Sequence, residues 1–311
     1  MIQPYSIAVH GGAGTLVKGM MTPEKEIAYK KALEIALDQA YTLLKKGGTA
    51  IDAVEKAVVA LEDSPLFNAG KGSVFTSKGT HEMDAAIMEG KNLNAGAVSL
   101  ISGIKNPVVL AKDVMEKSEH IFLAGKGAME FAKSLDYSLE DDAYFYDEFR
   151  YQQWQDIKDT DSFQLDHSAK KDSKFGTVGA VACDSHGNLA AATSTGGMTN
   201  KRFGRVGDSP MIGVGNYANN KTCAVSCTGS GEYFIKGVAA YDVSCLMEYK
   251  GFSLEKATNE VIHKRLLEIG GDGGLIAVDI HGNIAMPFNT EGMYRAGKSS
   301  IGEKTVQIYS D

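Results

Sequence analysis

The sequence predicts a mixed α/β fold in which strands group with strands and helices with helices, stacked as a four-layer αββα sandwich. Three observations carry this. The first half of the 311-residue chain alternates helical and strand-like segments, the second half restarts with a hairpin signal at 177–194, and that hairpin recurs 95 residues later with two apolar helices between the copies. Two related hairpins suggest two related sheets, and the helices between them are apolar enough to cover sheet faces.

In chain order, residues 6–9 read as a short strand running into His10-Gly11-Gly12-Ala13-Gly14, a stretch too rich in glycine to continue it and expected as a loop. A helix is expected over about 23–46, where Ile27, Leu33, Ile35, Ala36, Ala40, Leu43 and Leu44 recur at helical spacing before Gly47-Gly48 stops it. The next opens on Thr49-Ala50-Ile51-Asp52, similar to a capping box, and carries Val54, Ala57, Val58 and Leu61 along one side. Strand-like stretches follow at 83–88 and 95–101, then a helix over 107–117, a short apolar run at 121–123 and a helix to about Ser134.

From 136 to 174 apolar periodicity gives way to acidic and aromatic residues, so a linker is expected there, mobile near its C-terminal end. Strands at 177–183 and 189–194 are joined by the turn Asp184-Ser185-His186-Gly187-Asn188. Asp184, His186, Gly187, Asn188, Ala190, Thr195, Gly197 and Met198 align with Asp279, His281, Gly282, Asn283, Ala285, Thr290, Gly292 and Met293. Helices over about 232–249 and 253–269 lie between the copies.

Composition narrows the function. Hydrophobic residues make up 43% of the chain, enough for a full core, and the net charge of −7 leaves no basic stripe for nucleic acid. No apolar run approaches the roughly 18 residues of a membrane span, and MIQPYSIAVHGGAG lacks the layout of an export signal, so a cytoplasmic protein acting on small molecules is expected. Cys183, Cys223, Cys227 and Cys245 have neither zinc-site nor disulfide-framework spacing and read as reduced core residues. The 35 glycines exceed the usual ~7% share and mark tight turns or backbone-lined surfaces.

Three threonines stand where a strand meets a glycine-rich turn: Thr177 in Gly176-Thr177-Val178-Gly179, Thr195 in Thr193-Ser194-Thr195-Gly196-Gly197, and Thr228 in Cys227-Thr228-Gly229-Ser230-Gly231. Threonine is a poor nucleophile without an adjacent base, and His167, His186 and His263 fall in a linker, a turn and a helix face, with no Ser-His-Asp arrangement visible. A threonine supplies its own base once its nitrogen is freed as an α-amine, with a pKa of about 7.7–8.0. That requires a cut just before it. Thr177 suits the role because it opens a strand after the linker and follows Gly176, whose missing side chain tolerates the geometry of internal attack. On spacing alone the plainer reading is the favoured one, a β-branched residue placed at a strand start because strands favour it.

The order HGGAG, FNAGKGSVF, THEMDAAIM, FGTVGAVA, AATSTGGMTNK, GRVGDSP, SCTGSGE and FNTEGMYRAG resembles the isoaspartyl peptidases/L-asparaginases of the plant-type N-terminal-nucleophile (Ntn) class, over essentially the whole chain outside 136–174. The resemblance implies self-cleavage between Gly176 and Thr177 into an α-subunit (1–176) and a β-subunit (177–311), an Ntn-hydrolase fold, and an (αβ)2 assembly. It implies Thr177 as nucleophile, Thr195 as the hydroxyl that orients it, Thr228 and Gly229 as the oxyanion hole, and Asn68 as a pocket residue. Arg205 and Asp208 would grip the α-carboxylate and α-ammonium of the substrate, with Gly231 adding a backbone contact. No cofactor is implied for catalysis. The loop 61–71 matches one that wraps a sodium ion with backbone carbonyls, here those of Leu61, Glu62, Ser64, Phe67, Ala69 and Lys71.

Two other readings stand beside this one. A glycosylasparaginase would ordinarily carry aspartate before the nucleophile, an export signal and disulfides, whereas this chain has Gly176. A binding protein that keeps the Arg205/Asp208 pair but never matures would have no need of a nucleophile and an oxyanion hole together.

Overall fold

A computed structural model describes residues 3–160 and 176–310, and shows the glycine-rich start of the chain as a strand rather than a loop. Strand β1 (Ser6–Gly14) is followed by α1 (Pro23–Lys45), α2 (Ala50–Glu62), β2 (Met83–Glu89), β3 (Ala95–Ile101), α3 (Pro107–Lys117), β4 (Phe122–Ala124) and α4 (Gly125–Ser134). Two short helices, α5 (Asp142–Phe145) and α6 (Glu148–Gln155), precede β5 (Val178–Cys183), β6 (Leu189–Thr195), β7 (Asn216–Ala218) and β8 (Cys223–Gly229). Helices α7 (Gly231–Gly237), α8 (Ala239–Lys250), α9 (Leu254–Glu260) and α10 (Leu266–Glu268) lead to β9 (Gly273–Asp279), β10 (Ile284–Ala285), β11 (Gly292–Ser299) and β12 (Thr305–Tyr309).

The chain is therefore a mixed α/β protein. Among the described residues one sheet has eight strands in the order β12-β11-β1-β5-β6-β2-β3-β4, and a second has four in the order β10-β9-β8-β7. Strand β1 continues through its glycines because β11 pairs with it as far as Gly14 opposite Gly292. An irregularity between His10 and Gly12 absorbs the strain, with Gly12 at φ 114°.

Strand periodicity splits the core in two. Ile7, Val9, Ala180 and Ala192 pack with Leu33 and Leu37 of α1, Val54 and Val58 of α2, and Val108 of α3. The alternate residues Ala8, Val181 and Ala191 pack instead with Val225, Ala277, Val243 and Ile262. A central strand buried on both faces reads as a nearly continuous apolar run, as β5 does. Each fully buried Leu or Val contributes about 1.5–3 kcal/mol.

The capping signal at Thr49 holds: it caps α2, accepting from the backbone N–H of Asp52, and Thr22 does the same for α1 with that of Lys25. The internal repeat is visible in hydrogen bonds: Asp184 accepts from the backbone of His186 and Asn188, and Asp279 does the same for His281 and Asn283. One copy, β5–β6, lies in the larger sheet and the other, β9–β10, in the smaller. Cys183, Cys223 and Cys227 are buried, Cys245 half-buried, and all four are free thiols.

Three further expectations change. The helix expected over 232–249 is two, broken at Val238 in the left-handed region (φ 47°), because the N–H groups of Ala240 and Tyr241 at the start of α8 bond the carbonyls of Val214 and Gly213. The helix expected over 253–269 passes through a π-helical turn, Val261–Arg265, between α9 and α10. The first part of the stretch expected as a linker carries α5 and α6, whose aromatics gather around one ring instead of following a helical period. Trp154 stacks on Phe75 at 5.7 Å, Tyr151 meets it edge-on at 5.8 Å, and Phe145 is buried. The rest of that stretch, 161–175 with His167, lies outside the described residues.

Candidate active site

The two-residue period of strands brings the threonines together. In β5, Val178, Ala180 and Ala182 face the helices α1 to α3, so Gly179 and Thr177, just before the strand, face the smaller sheet. Val178 pairs with Ser194, and the same register continued by one residue sets Thr177 opposite Thr195. In β8, Ser226 reaches the inner face of the larger sheet, bonding Thr193 at 2.8 Å and His10 at 2.9 Å, and Thr228 lies on the same side two residues on. Three threonines from different strands thus meet at one end of the space between the sheets.

Gly176 lies at the centre of the junction. A methyl group on Gly12 would stand 2.6 Å from the nitrogen of Gly176, and one on Gly176 would stand 3.0 Å from Thr228 Oγ1. The HGGAG segment therefore lets backbone pass close beside Gly176 and so beside Thr177. Thr228 is fully buried, and its hydroxyl has no hydrogen-bond partner among the described residues. A buried orphan hydroxyl costs about 1–3 kcal/mol, which makes it a donor held ready for something else.

Thr177 is buried, and its Oγ1 lies 3.2 Å from Ser209 Oγ. Thr195 Oγ1 accepts from the N–H of Gly197 at 2.9 Å. Asn68 braces that turn: its amide donates to the Gly197 carbonyl at 2.7 Å, its side-chain oxygen accepts from Val74 N, and its own carbonyl accepts from Gly196 N. Gly229 adopts φ 146°, open only to glycine, and a side chain there would meet the Asp272 carbonyl at 2.4 Å.

Arg205, Asp208 and Gly231 converge. A methyl on Gly231 would stand 2.7 Å from Asp208 Oδ1 and 3.3 Å from the Arg205 guanidinium. Burial raises the Asp208 pKa to about 7 against the pull of Arg205, and its Oδ2 has no partner among the described residues. A positive group arriving at that oxygen would satisfy it. Arg205 is held in a two-bond fork, Nε to Glu232 Oε1 at 2.8 Å and Nη2 to Oε2 at 2.9 Å.

Ser209 and Glu232 were not among the site residues read from the sequence, although both fall inside stretches that carry the resemblance, GRVGDSP and SCTGSGE. Nor was His10, which burial keeps neutral by lowering its pKa to about 3. His186 and His263 are exposed and take no part.

The loop after α2 folds back on itself. Methyl groups on Gly70 and Gly72 would stand 2.5 Å from the Glu62 carbonyl and 2.1 Å from that of Phe67, a cradle that only glycine permits. The carbonyls of Phe67 and Ala69 each take one backbone N–H, from Ala69 and Gly72, and that of Leu61 faces the N–H groups of Asp63 and Ser64. Glu62 turns its buried side chain to the N-terminus of α3, accepting from Val108 N at 3.1 Å, and Lys71 lies over the ring of Tyr144. Their backbone oxygens stay available to a hard cation. No group of three or more His, Cys, Asp or Glu side chains suited to a metal occurs among the described residues.

Comparison with known proteins gives the family of the chain. The sequence profile described as Asparaginase (Asparaginase_2) matches residues 2–308. The chain is similar to an isoaspartyl peptidase of Salmonella typhimurium, 49% identical over 308 residues that cover 98% of each protein, and to one of Escherichia coli, 49% identical over 98% of this chain and 96% of that protein. A plant-type L-asparaginase of Pyrococcus abyssi is 41% identical over 96% of this chain and 98% of its own length. With that coverage, the chain belongs to the asparaginase family that the profile describes.

Proposed function

We propose that the protein is a self-activating amidohydrolase that splits the β-aspartyl amide bond of L-asparagine and isoaspartyl dipeptides. The observation that carries the reading is Gly176 lodged between Gly12 and the unpartnered hydroxyl of Thr228. A buried, unused donor within reach of Gly176 supports attack by the next residue on the Gly176 carbonyl.

In maturation, Thr177 Oγ attacks the Gly176 carbonyl carbon. The C–O bond forms, the C–N bond breaks, the hydroxyl proton passes to nitrogen, and water hydrolyses the ester to leave Thr177 with a free amine. In turnover the same hydroxyl attacks the substrate's β-carbonyl. The amine takes the hydroxyl proton and returns it to the departing ammonia or amino acid, and water releases aspartate from the ester. Thr195 orients the nucleophile, Thr228 and Gly229 receive the oxyanion, and Arg205 and Asp208 hold the two charged ends of the aspartyl half, with Gly231 alongside.

The paired sheets with helices packed on each support a four-layer αββα arrangement of the Ntn type. The glycine cradle supports a sodium ion held by the carbonyls of Leu61, Glu62, Ser64, Phe67, Ala69 and Lys71, stiffening the loop that carries Asn68 and taking no part in the chemistry. No helix among the described residues is long and apolar enough to cross a membrane. A cytoplasmic (αβ)2 assembly with residues 136–176 ending the α-subunit completes the proposal.

The test is intact mass over several days for wild type and Thr177→Ala, followed by ammonia release from asparagine. Wild type should split into fragments of 176 and 135 residues and release ammonia, while the variant stays whole. A wild type that turns over while uncut would sink the mechanism.

A further inference from the structure

The loop from Asn200 to Arg205 is fastened along its length. Asn200 donates from its backbone to the Phe75 carbonyl and from its side chain to Ile157, Lys201 Nζ donates to the Glu82 carbonyl at 2.7 Å, Arg202 donates to Thr160 at 2.7 Å, and Arg205 is forked to Glu232. At its tip Phe203 is 99% exposed, on backbone in the left-handed region at φ 57°. A scattered exposed apolar residue needs no explanation, but a bulky side chain held out on left-handed backbone by a fastened loop is a costly arrangement that persists where something uses it.

The position of the tip says what that use is. Successive Cα atoms are about 3.8 Å apart, so Phe203 and Arg205 are separated by at most about 7.6 Å. A methyl on Gly204 would stand 3.5 Å from Leu100, whose N–H donates to Asp84 Oδ1 at 3.0 Å, and Asp84 is the register partner of Thr195. Phe203 therefore stands at the rim between the Arg205/Asp208 pair and the end of β6 that carries Thr195. On the proposed function the aspartyl half is gripped by that pair and its β-carbonyl lies at Thr177, so a leaving group that extends to the solvent side of Arg205 comes within reach of the exposed ring.

We infer that Phe203 is a specificity residue for the leaving group, favouring isoaspartyl dipeptides whose second residue has a bulky apolar side chain. The inference rests on the reading of the site as a β-aspartyl amidohydrolase. Fastened backbone makes the ring a preorganised contact, which adds affinity without an ordering cost.

The experiment compares wild type, Phe203→Ala and Phe203→Trp on three substrates: isoaspartyl-leucine, isoaspartyl-glycine and free asparagine, whose leaving group is ammonia and presents no side chain. Phe203→Ala should lose about three- to tenfold in kcat/KM on isoaspartyl-leucine, mostly through KM. It should match wild type on the other two, and tryptophan should restore the loss. Equal losses on all three substrates, or no loss on any, overturn the inference while leaving the activity standing. A Phe203→Ala protein that changes sedimentation from dimer to monomer also overturns it, since the ring would then belong to contact with a second copy. A wild type that splits none of the three overturns the functional reading and this inference with it.

Discussion

Thr228 presents its hydroxyl to Gly176: a methyl on that glycine would stand 3.0 Å from Thr228 Oγ1, and no hydrogen bond among the described residues engages the oxygen. An unengaged buried hydroxyl works against stability and, if the oxyanion forms there, in favour of reaction. Thr228→Val, which keeps the shape and removes the donor, should melt at or slightly above the wild-type temperature while losing at least about 100-fold in turnover. Calorimetry and ammonia release on the same preparation check both halves, and near-normal turnover would remove Thr228 from the oxyanion hole.

Gly12 and Gly19 separate close packing from backbone strain. Both have positive φ, 114° and 89°, but a methyl on Gly12 would strike the nitrogen of Gly176 at 2.6 Å, whereas nothing lies within 4 Å of one on Gly19. Gly19→Ala should cost about 1 kcal/mol and still process. Gly12→Ala should fold poorly or remain uncut. Denaturing gels of the two variants over several days decide the matter.

Asp208 makes stability respond to pH and, on the proposed function, makes substrate binding respond in the opposite sense. Burial raises its pKa from the usual carboxylate value of 3.8 to about 7. Between about pH 4 and 7 the folded chain thus keeps a proton that the unfolded chain has released, and stability present at low pH is lost as the pH rises through that window. Asp208→Asn lacks this slope, so relative to wild type it should gain in melting temperature from pH 4 to pH 8. If Asp208 holds the substrate ammonium as proposed, binding needs the carboxylate, so the wild-type KM should fall as the pH climbs through about 7, and the variant's should stay high. Melting curves that move in parallel would contradict the assignment.

Glu232 fixes the fork of Arg205 through two bonds of 2.8 and 2.9 Å. Both side chains are partly exposed, so the expected effect is moderate. Glu232→Gln should raise KM for asparagine roughly three- to tenfold and leave kcat within about twofold. Steady-state kinetics at fixed ionic strength give the split, and a fall in kcat alone would assign Glu232 a different role.

Much of this was legible in the residues themselves. The start of α2 follows from its threonine cap, the repeated hairpin from Asp184 and Asp279 with their matching turns, and the mixed α/β class from the two periodicities, all within spans of a few residues. Thr177, Thr195 and Thr228 stood out because each meets glycine at a strand end, which is also local. Tertiary structure decided the rest. The glycines of HGGAG became strand because β11 supplied partners, and the break at Val238 arose because carbonyls of Val214 and Gly213 took over the first N–H groups of α8. The orphan hydroxyl of Thr228, the pairing of Thr177 with Ser209 and the Glu232 fork all depend on how separate strands and loops fold back on one another. Residue type sets what a group can do chemically, whereas convergence depends on register and burial between segments far apart in the chain, where no short-range pattern reaches.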